Sequence, residues 1–125
     1  MLKKILPVLC LPLLLAGCAT QLTNLTPQQQ VRSPNNLYPV EVALATRQQT
    51  LRWETINAQI IVGAQAYPMR PTLLMTNRWE GLVPVPPGTS SINYRYKLDY
   101  EYNAVGKPKS ASRLSAEYTL RVLEP

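Results

Sequence analysis

From Ile92 to Asn103 the chain alternates without a break. Ile92, Tyr94, Tyr96, Leu98, Tyr100 and Tyr102 fall on one face, and Asn93, Arg95, Lys97, Asp99, Glu101 and Asn103 on the other. A period of two sets one side of a strand against a core and the other in water. A helical period would mix the two sets. A strand of this kind is not stable alone and needs partners on its edges and a layer over its apolar face. The chain supplies candidates. Tyr38, Val40, Val42 and Leu44 alternate with Pro39, Glu41 and Ala43, a first strand whose proline suits an edge. Ile56, Ala58, Ile60 and Val62 alternate with Asn57, Gln59 and Ile61 and predict a second, which could begin as early as Leu51, with Gly63 marking a bulge or bend. Shorter strands are expected over Ala64–Met69, Leu73–Thr76, Trp79–Val85 and Tyr118–Val122, with a polar loop from Ala104 to Ser115.

Composition agrees with this reading. Seven Tyr, no Phe and twelve Pro favour strands and turns. About seven strands with no helical segment predict an all-β domain over residues 37–125. The expected architecture is an immunoglobulin-like antiparallel β-sandwich. Fold-level likeness of this kind carries no function.

The first residues are an address. Met1-Leu2-Lys3-Lys4 is a short basic stretch, and Ile5 to Ala16 is an apolar run of twelve broken by Pro7 and Pro12. That run is shorter than the roughly 20 residues a spanning helix needs, and it has the length of a secretory signal. It ends in Leu15-Ala16-Gly17-Cys18. This segment resembles the lipobox of bacterial lipoproteins, in which leucine and two small residues precede the acylated cysteine. The resemblance implies cleavage before Cys18, a diacylglyceryl group on its thiol and a membrane-anchored product held by two or three acyl chains. Ala19 follows, where an Asp would imply retention in the inner membrane of a Gram-negative cell, so the resemblance implies the outer membrane. Cys10 would leave with the leader. The mature chain would then hold one cysteine, acylated as the resemblance implies, and no disulfide within it.

Residues 18–36 read as the lipidated N-terminus and a tether. The stretch is rich in Gln, Asn, Thr and Pro and lacks a sustained apolar period. Eighteen flexible residues would hold the domain about 25 Å from the lipid. The competing reading has Leu22, Leu25 and Val31 packing back as an extra edge segment. Over its whole length the chain is similar to short bacterial lipoproteins of no assigned activity. The likeness is carried by Leu37-Tyr38-Pro39-Val40, Thr76-Asn77-Arg78-Trp79-Glu80 and Tyr94-Arg95-Tyr96-Lys97-Leu98-Asp99-Tyr100. It implies the fold and nothing about chemistry.

Catalysis finds few candidates. The chain has no histidine, which removes the commonest general base and metal ligand together. A serine nucleophile at Ser110 or Ser112 would need a lysine base, and Lys97, Lys107 and Lys109 all fall at polar positions. Asp99 and Glu101 lie two apart on one strand face, with side chains about 6–7 Å apart, a spacing glycosidases use. On an open face beside Arg95 and Lys97 they read as solvated charges. No catalytic residue, cofactor or metal is expected.

Binding is the better class. The chain has 13 Lys and Arg against 7 Asp and Glu; without Lys3 and Lys4, eleven cations remain, a formal charge of about +4. Lys107, Lys109 and Arg113 form the candidate interaction loop, with no acidic residue between Tyr102 and Glu117. Such a loop suits anionic headgroups or an acidic partner; it also serves as a solubilising guard on a hairpin. Nucleic acid is not expected outside the cell. Trp53 and Trp79, each flanked by Arg and Glu, are candidates for stacking on a sugar ring or for the core. Two functions follow: a non-enzymatic structural or protein-interaction module of the envelope, or a carbohydrate-binding module. An envelope protein is the expected partner, with polysaccharide as the alternative.

Overall fold

The computed structural model describes residues 20–125. Cys18 and the leader lie outside the described residues. The long alternating segment is one strand, β8 (Ser91–Asn103), at the centre of the larger sheet. On one edge it pairs with β4 (Leu51–Val62), which is flanked in turn by β5 (Gln65–Pro68). Its other edge takes two strands in succession, β9 (Pro108–Leu114) and β10 (Tyr118–Leu123). Between them Lys97 pairs with Leu114 but Tyr94 with Tyr118, so one extra residue is inserted. Ser115 holds this bulge by accepting the Tyr96 N–H on its hydroxyl and donating its own N–H to the Tyr96 carbonyl. The insertion reverses parity. Even-numbered Leu120 and Val122 point inward in β10, whereas in β9 the odd-numbered residues lie opposite Leu98, Tyr100 and Tyr102.

The second sheet runs β1 (Thr20–Asn24), β3 (Leu37–Thr46), β7 (Arg78–Pro84) and β6 (Arg70–Pro71). The first segment of chain serves both sheets. β1 pairs with β3 as far as Asn24, Leu25 adds one more bond to the Glu41 carbonyl, and the chain then crosses to the other sheet. There β2 (Gln29–Val31) lies parallel to β10. The ten strands form an all-β, immunoglobulin-like sandwich: four strands face six, and the first strand is divided between them.

Side chains from both sheets meet in one core. Tyr38, Val40 and Val42 of β3 and Val83 of β7 face Ile60 of β4, Tyr94, Tyr96 and Leu98 of β8 and Leu120 of β10, all fully buried. Each such side chain contributes about 1.5–3 kcal/mol. Tyr94, Tyr96 and Tyr118 pack with ring centroids 5.7–6.0 Å apart. Buried phenols need partners, and Tyr96 has several. Its hydroxyl donates to Asn24 Oδ1 at 2.6 Å, lies 3.0 Å from Thr26 Oγ1 and 3.1 Å from the Glu41 carbonyl. Thr26 Oγ1 in turn accepts the Glu41 N–H at 2.9 Å. At one end of the sandwich Arg32 donates to the Val85 and Thr89 carbonyls at 2.8 Å and pairs with Glu124 at 3.0 Å.

Several sequence expectations are corrected. The tether of residues 18–36 contains two paired strands, and Leu22 packs against the core. Leu25 and Val31 remain exposed. Leu73–Thr76 is a hairpin loop rather than a strand. The expected loop Ala104–Ser115 holds β9; its inward positions carry Lys109, Ala111 and Arg113, so no apolar alternation marks it.

Burial raises the Tyr96 phenol well above its ordinary pKa of about 10. The folded state therefore keeps a proton that the unfolded chain releases, and stability present below pH 10 is lost as pH rises above it. Tyr96→Phe is expected to cost about 1–3 kcal/mol at neutral pH in urea unfolding, because it removes a buried hydrogen bond from Asn24, from Thr26 and from the Glu41 carbonyl. Above pH 10 the variant's stability should fall less steeply than the parent's, by up to roughly 1.4 kcal/mol per pH unit. Equal slopes would disprove the buried neutral phenol.

Candidate functional site

A broad concavity lies on the outer face of the four-stranded sheet. With Tyr38, Val40 and Val83 turned inward, their neighbours Pro39, Glu41, Glu80 and Leu82 turn outward. Pro39 stands opposite Leu82, and Glu41 opposite Glu80. Leu25, Thr26 and Pro27 wall one side where the chain leaves β3, and Tyr67, Pro68, Met69 and Arg70 wall the other where β5 passes into β6. The groove has a volume of about 720 Å³. Pro39 keeps it open in part, since a residue without an N–H cannot extend the ladder on that edge.

Its electrostatics are acidic and restrained. Two carboxylates directly opposite each other on a sheet repel. Arg70 pairs with Glu80 at 3.1 Å, and the Thr72 hydroxyl donates to Glu41 Oε2 at 3.1 Å. The arrangement suits an apolar side chain in the slot and a cation at its rim. Gly81 sets the wall. A Cβ there would stand 2.9 Å from Ile60 Cδ1 and 3.0 Å from the Pro68 carbonyl oxygen, so a side chain at this position would press on the β5–β6 crossing where it lies against β7.

The sequence-predicted basic residues do not form one loop. Lys107 sits in the β8–β9 turn, where Gly106 adopts φ +94°. Lys109 and Arg113 belong to β9, opposite Tyr102 and Leu98. Arg113 donates to the Thr20 carbonyl at 2.8 Å, which brings β9 against the start of β1. All three are exposed, and they guard the outer edge of β9, on which no strand pairs among the described residues.

The tryptophans separate. Trp79 is 4% exposed and its ring belongs to the core, so it offers no face to a sugar. Trp53 is 42% exposed and lies in a bulge where the β4–β8 register shifts between Arg52 and Asn57. Thr55 clamps this bulge, donating to the Arg52 carbonyl at 2.6 Å and accepting the Glu101 N–H at 2.8 Å. Asp99 and Glu101 line a shallow depression of about 470 Å³ with Ser110 and Ser112. Both carboxylates are engaged: Glu101 by Arg52 at 3.2 Å, Asp99 by the Ser112 hydroxyl and by Lys97 at 3.9 Å. No group of three metal-ligating side chains occurs among the described residues.

Sequence reasoning missed the groove. Leu82 carried the one available signal, since its parity differs from that of Trp79, Val83 and Val85; it is 51% exposed. No protein family matches the chain, and neither a curated protein nor a solved structure is significantly similar to it.

Gly81→Ala tests the wall. Overpacking against a backbone carbonyl is expected to cost about 1–3 kcal/mol in urea unfolding. A neutral result would mean that β5 and β6 are free to withdraw and that the groove has no fixed wall.

Proposed function

We propose that this chain is a lipid-anchored, non-enzymatic interaction module of the bacterial cell envelope. The observation that carries the reading is the lipobox-like Leu15-Ala16-Gly17-Cys18 directly ahead of a folded domain. Only Ala19 separates Cys18 from the first paired residue, Thr20. Two peptide links span about 7 Å. An acyl anchor on Cys18 would therefore hold the sandwich against the bilayer rather than on a long tether. Two or three chains suffice for stable attachment. Ala19 in place of Asp supports the outer membrane as destination.

The interaction role is supported by what the fold leaves exposed. The groove between Leu25 and Met69 presents Pro39 and Leu82 to solvent beside restrained acids. A protein partner that inserts an apolar side chain and brings a cation would complement it. The engaged state of Asp99 and Glu101 gives the glycosidase-like reading no support. Carbohydrate binding retains one exposed indole, Trp53, and one indole makes a narrow platform.

Protein recovered from envelopes should carry acyl mass on Cys18, and Cys18→Ala should lose both that mass and membrane retention. Unmodified Cys18 in the mature protein would sink the lipoprotein reading. In the same preparations a stoichiometric envelope protein is expected to co-purify, and Leu82→Asp should release it at unchanged melting temperature. Envelope polysaccharide recovered instead, and lost on Trp53→Ala, would replace the interaction role with carbohydrate binding.

A further inference from the structure

Four features converge on the end of the sandwich where β1 begins. Thr20 pairs with Thr46, the last residue of β3. The β3–β4 connection, Arg47 to Thr50, therefore turns at this end. The β8–β9 turn joins it, since the Asn103 N–H donates to the Thr50 carbonyl and Leu51 pairs with Tyr102. The β6–β7 hairpin loop does so as well: Pro71 pairs with Trp79, the Thr72 N–H bonds the Arg78 carbonyl, and Asn77 exchanges bonds with Leu44. The chain enters the fold at this same end, two residues after Cys18.

The chemistry of this end is distinct. Leu73 and Leu74 at the hairpin tip are 84% and 93% exposed, and Val105 at the β8–β9 turn is fully exposed. Leu74 also holds φ +65°, a left-handed conformation that suits Gly or Asn and penalises a branched apolar residue. Neither packing nor backbone preference accounts for leucine there. Strain kept at an exposed site points to a use for the side chain. Charge completes the pattern. Of the eleven cations in residues 20–125, five pair with carboxylates: Arg32, Arg52, Arg70, Arg95 and Lys97. Six make no ion pair among the described residues. Of these only Arg121 lies toward the other end, on β10; Arg47, Arg78, Lys107, Lys109 and Arg113 border the exposed tips or the chain exit.

We infer that this end is a membrane-docking face: Leu73, Leu74 and Val105 insert at the headgroup boundary of an anionic bilayer, and Arg47, Lys107 and Lys109 contact the headgroups. The inference rests on the lipid-anchor reading for its orientation, because an acyl chain on Cys18 would emerge from this face. Apolar tips ringed by cations combine the two terms that bind a peripheral surface: buried apolar area and attraction to anionic lipid. An acidic protein would satisfy the cations but has no need of three exposed apolar side chains on two loop tips.

The test uses the chain from Thr20 to Pro125, which holds all ten strands and the whole described core and carries no acyl group. It is mixed with phosphatidylcholine vesicles, with and without about one third phosphatidylglycerol, and the bound fraction is read by flotation. Binding should appear with the anionic vesicles. Lys107→Gln with Lys109→Gln should lower partitioning about 30-fold. Leu73→Ser with Leu74→Ser should lower it about tenfold or more, with melting temperatures held because all four side chains are exposed. Hydrogen exchange should slow at Leu73–Thr76 and Ala104–Lys107 on binding. Absence of binding to anionic vesicles overturns the inference, even where Cys18 proves to be acylated in cells. Binding that ignores the leucines overturns it too, by reducing it to counter-ion attraction. Loss of a co-purifying acidic protein in the lysine variant, with vesicle binding intact, assigns the face to that protein instead.

Discussion

The hydroxyl of Tyr96 ties the two sheets and the first strand together at the centre of this structure. It sits at the middle of β8, in the larger sheet, and reaches the Glu41 carbonyl of β3 in the other. Through Asn24 and Thr26 it also fixes the point at which the first strand leaves one sheet for the other. In antibody domains a disulfide links the two sheets of such a sandwich. No cysteine follows Cys18 here, so the equivalent tie is a set of buried hydrogen bonds around one phenol. Individually such bonds contribute about 1 kcal/mol, but leaving any member unpaired costs more than its making gains. The network therefore acts as a register: only one placement of Asn24 and Thr26 satisfies it. The preference for Tyr over Phe in this composition has a structural meaning at Tyr94 and Tyr96. Both rings fill core volume and carry a hydroxyl to the sheet boundary, where Asn24 meets them.

Alternation made the strongest strands legible. β3, β4, β8 and β10 have one inner face and one outer face, and hydrophobic burial wrote that difference into the sequence. β1 and β2 were hidden because backbone pairing, not side-chain burial, holds them. Of their residues only Leu22 packs on the core, and Gln, Thr and Asn make up most of the rest. β9 was hidden for another reason. It accompanies the end of β8, where Tyr100 and Tyr102 are only half-buried. The facing sheet gives little cover there, so Lys109 and Arg113 can occupy positions on the inner face. The Ser115–Glu117 bulge then shifts parity, and no single period spans β9 and β10.

The candidate site was less legible because no motif makes it. The groove exists where strands depart: β1 quits β3 at Glu41, and β5 gives way to β6 at Met69. Those departures depend on pairing partners remote in sequence. Lys107, Lys109 and Arg113 were found by charge counting, yet the Arg113 bond to Thr20 depends on the fold bringing residues 93 positions apart together. Trp53 and Trp79 have near-identical neighbours in sequence and opposite burial. Trp79 stands in a regular ladder opposite Val42, whereas Trp53 falls in a bulge whose three extra residues release it from any inward position. Local composition cannot separate the two; register can.

The two proposed surfaces are compatible because β3 holds them apart. Pro39, in the groove, and Thr46, at the chain exit, are seven residues distant along one strand, or about 24 Å at strand rise. A partner seated on Pro39 and Leu82 would stand clear of a bilayer at the Thr20 end. An anchor through Cys18 alone would let the sandwich swivel about Ala19. Contacts from two loop tips and the adjacent cations would oppose that rotation and hold the groove's face lateral to the membrane. The unequal distribution of ion pairs suits such an orientation. Carboxylates pair with Arg32 at the far end and with Arg70 and Arg95 along the sides, and five of the six cations that make no ion pair among the described residues border the end where the anionic surface would lie. Surface pairs of this exposure add little stability. Their placement bears on orientation, and the fold is held by the core that Tyr96 organises.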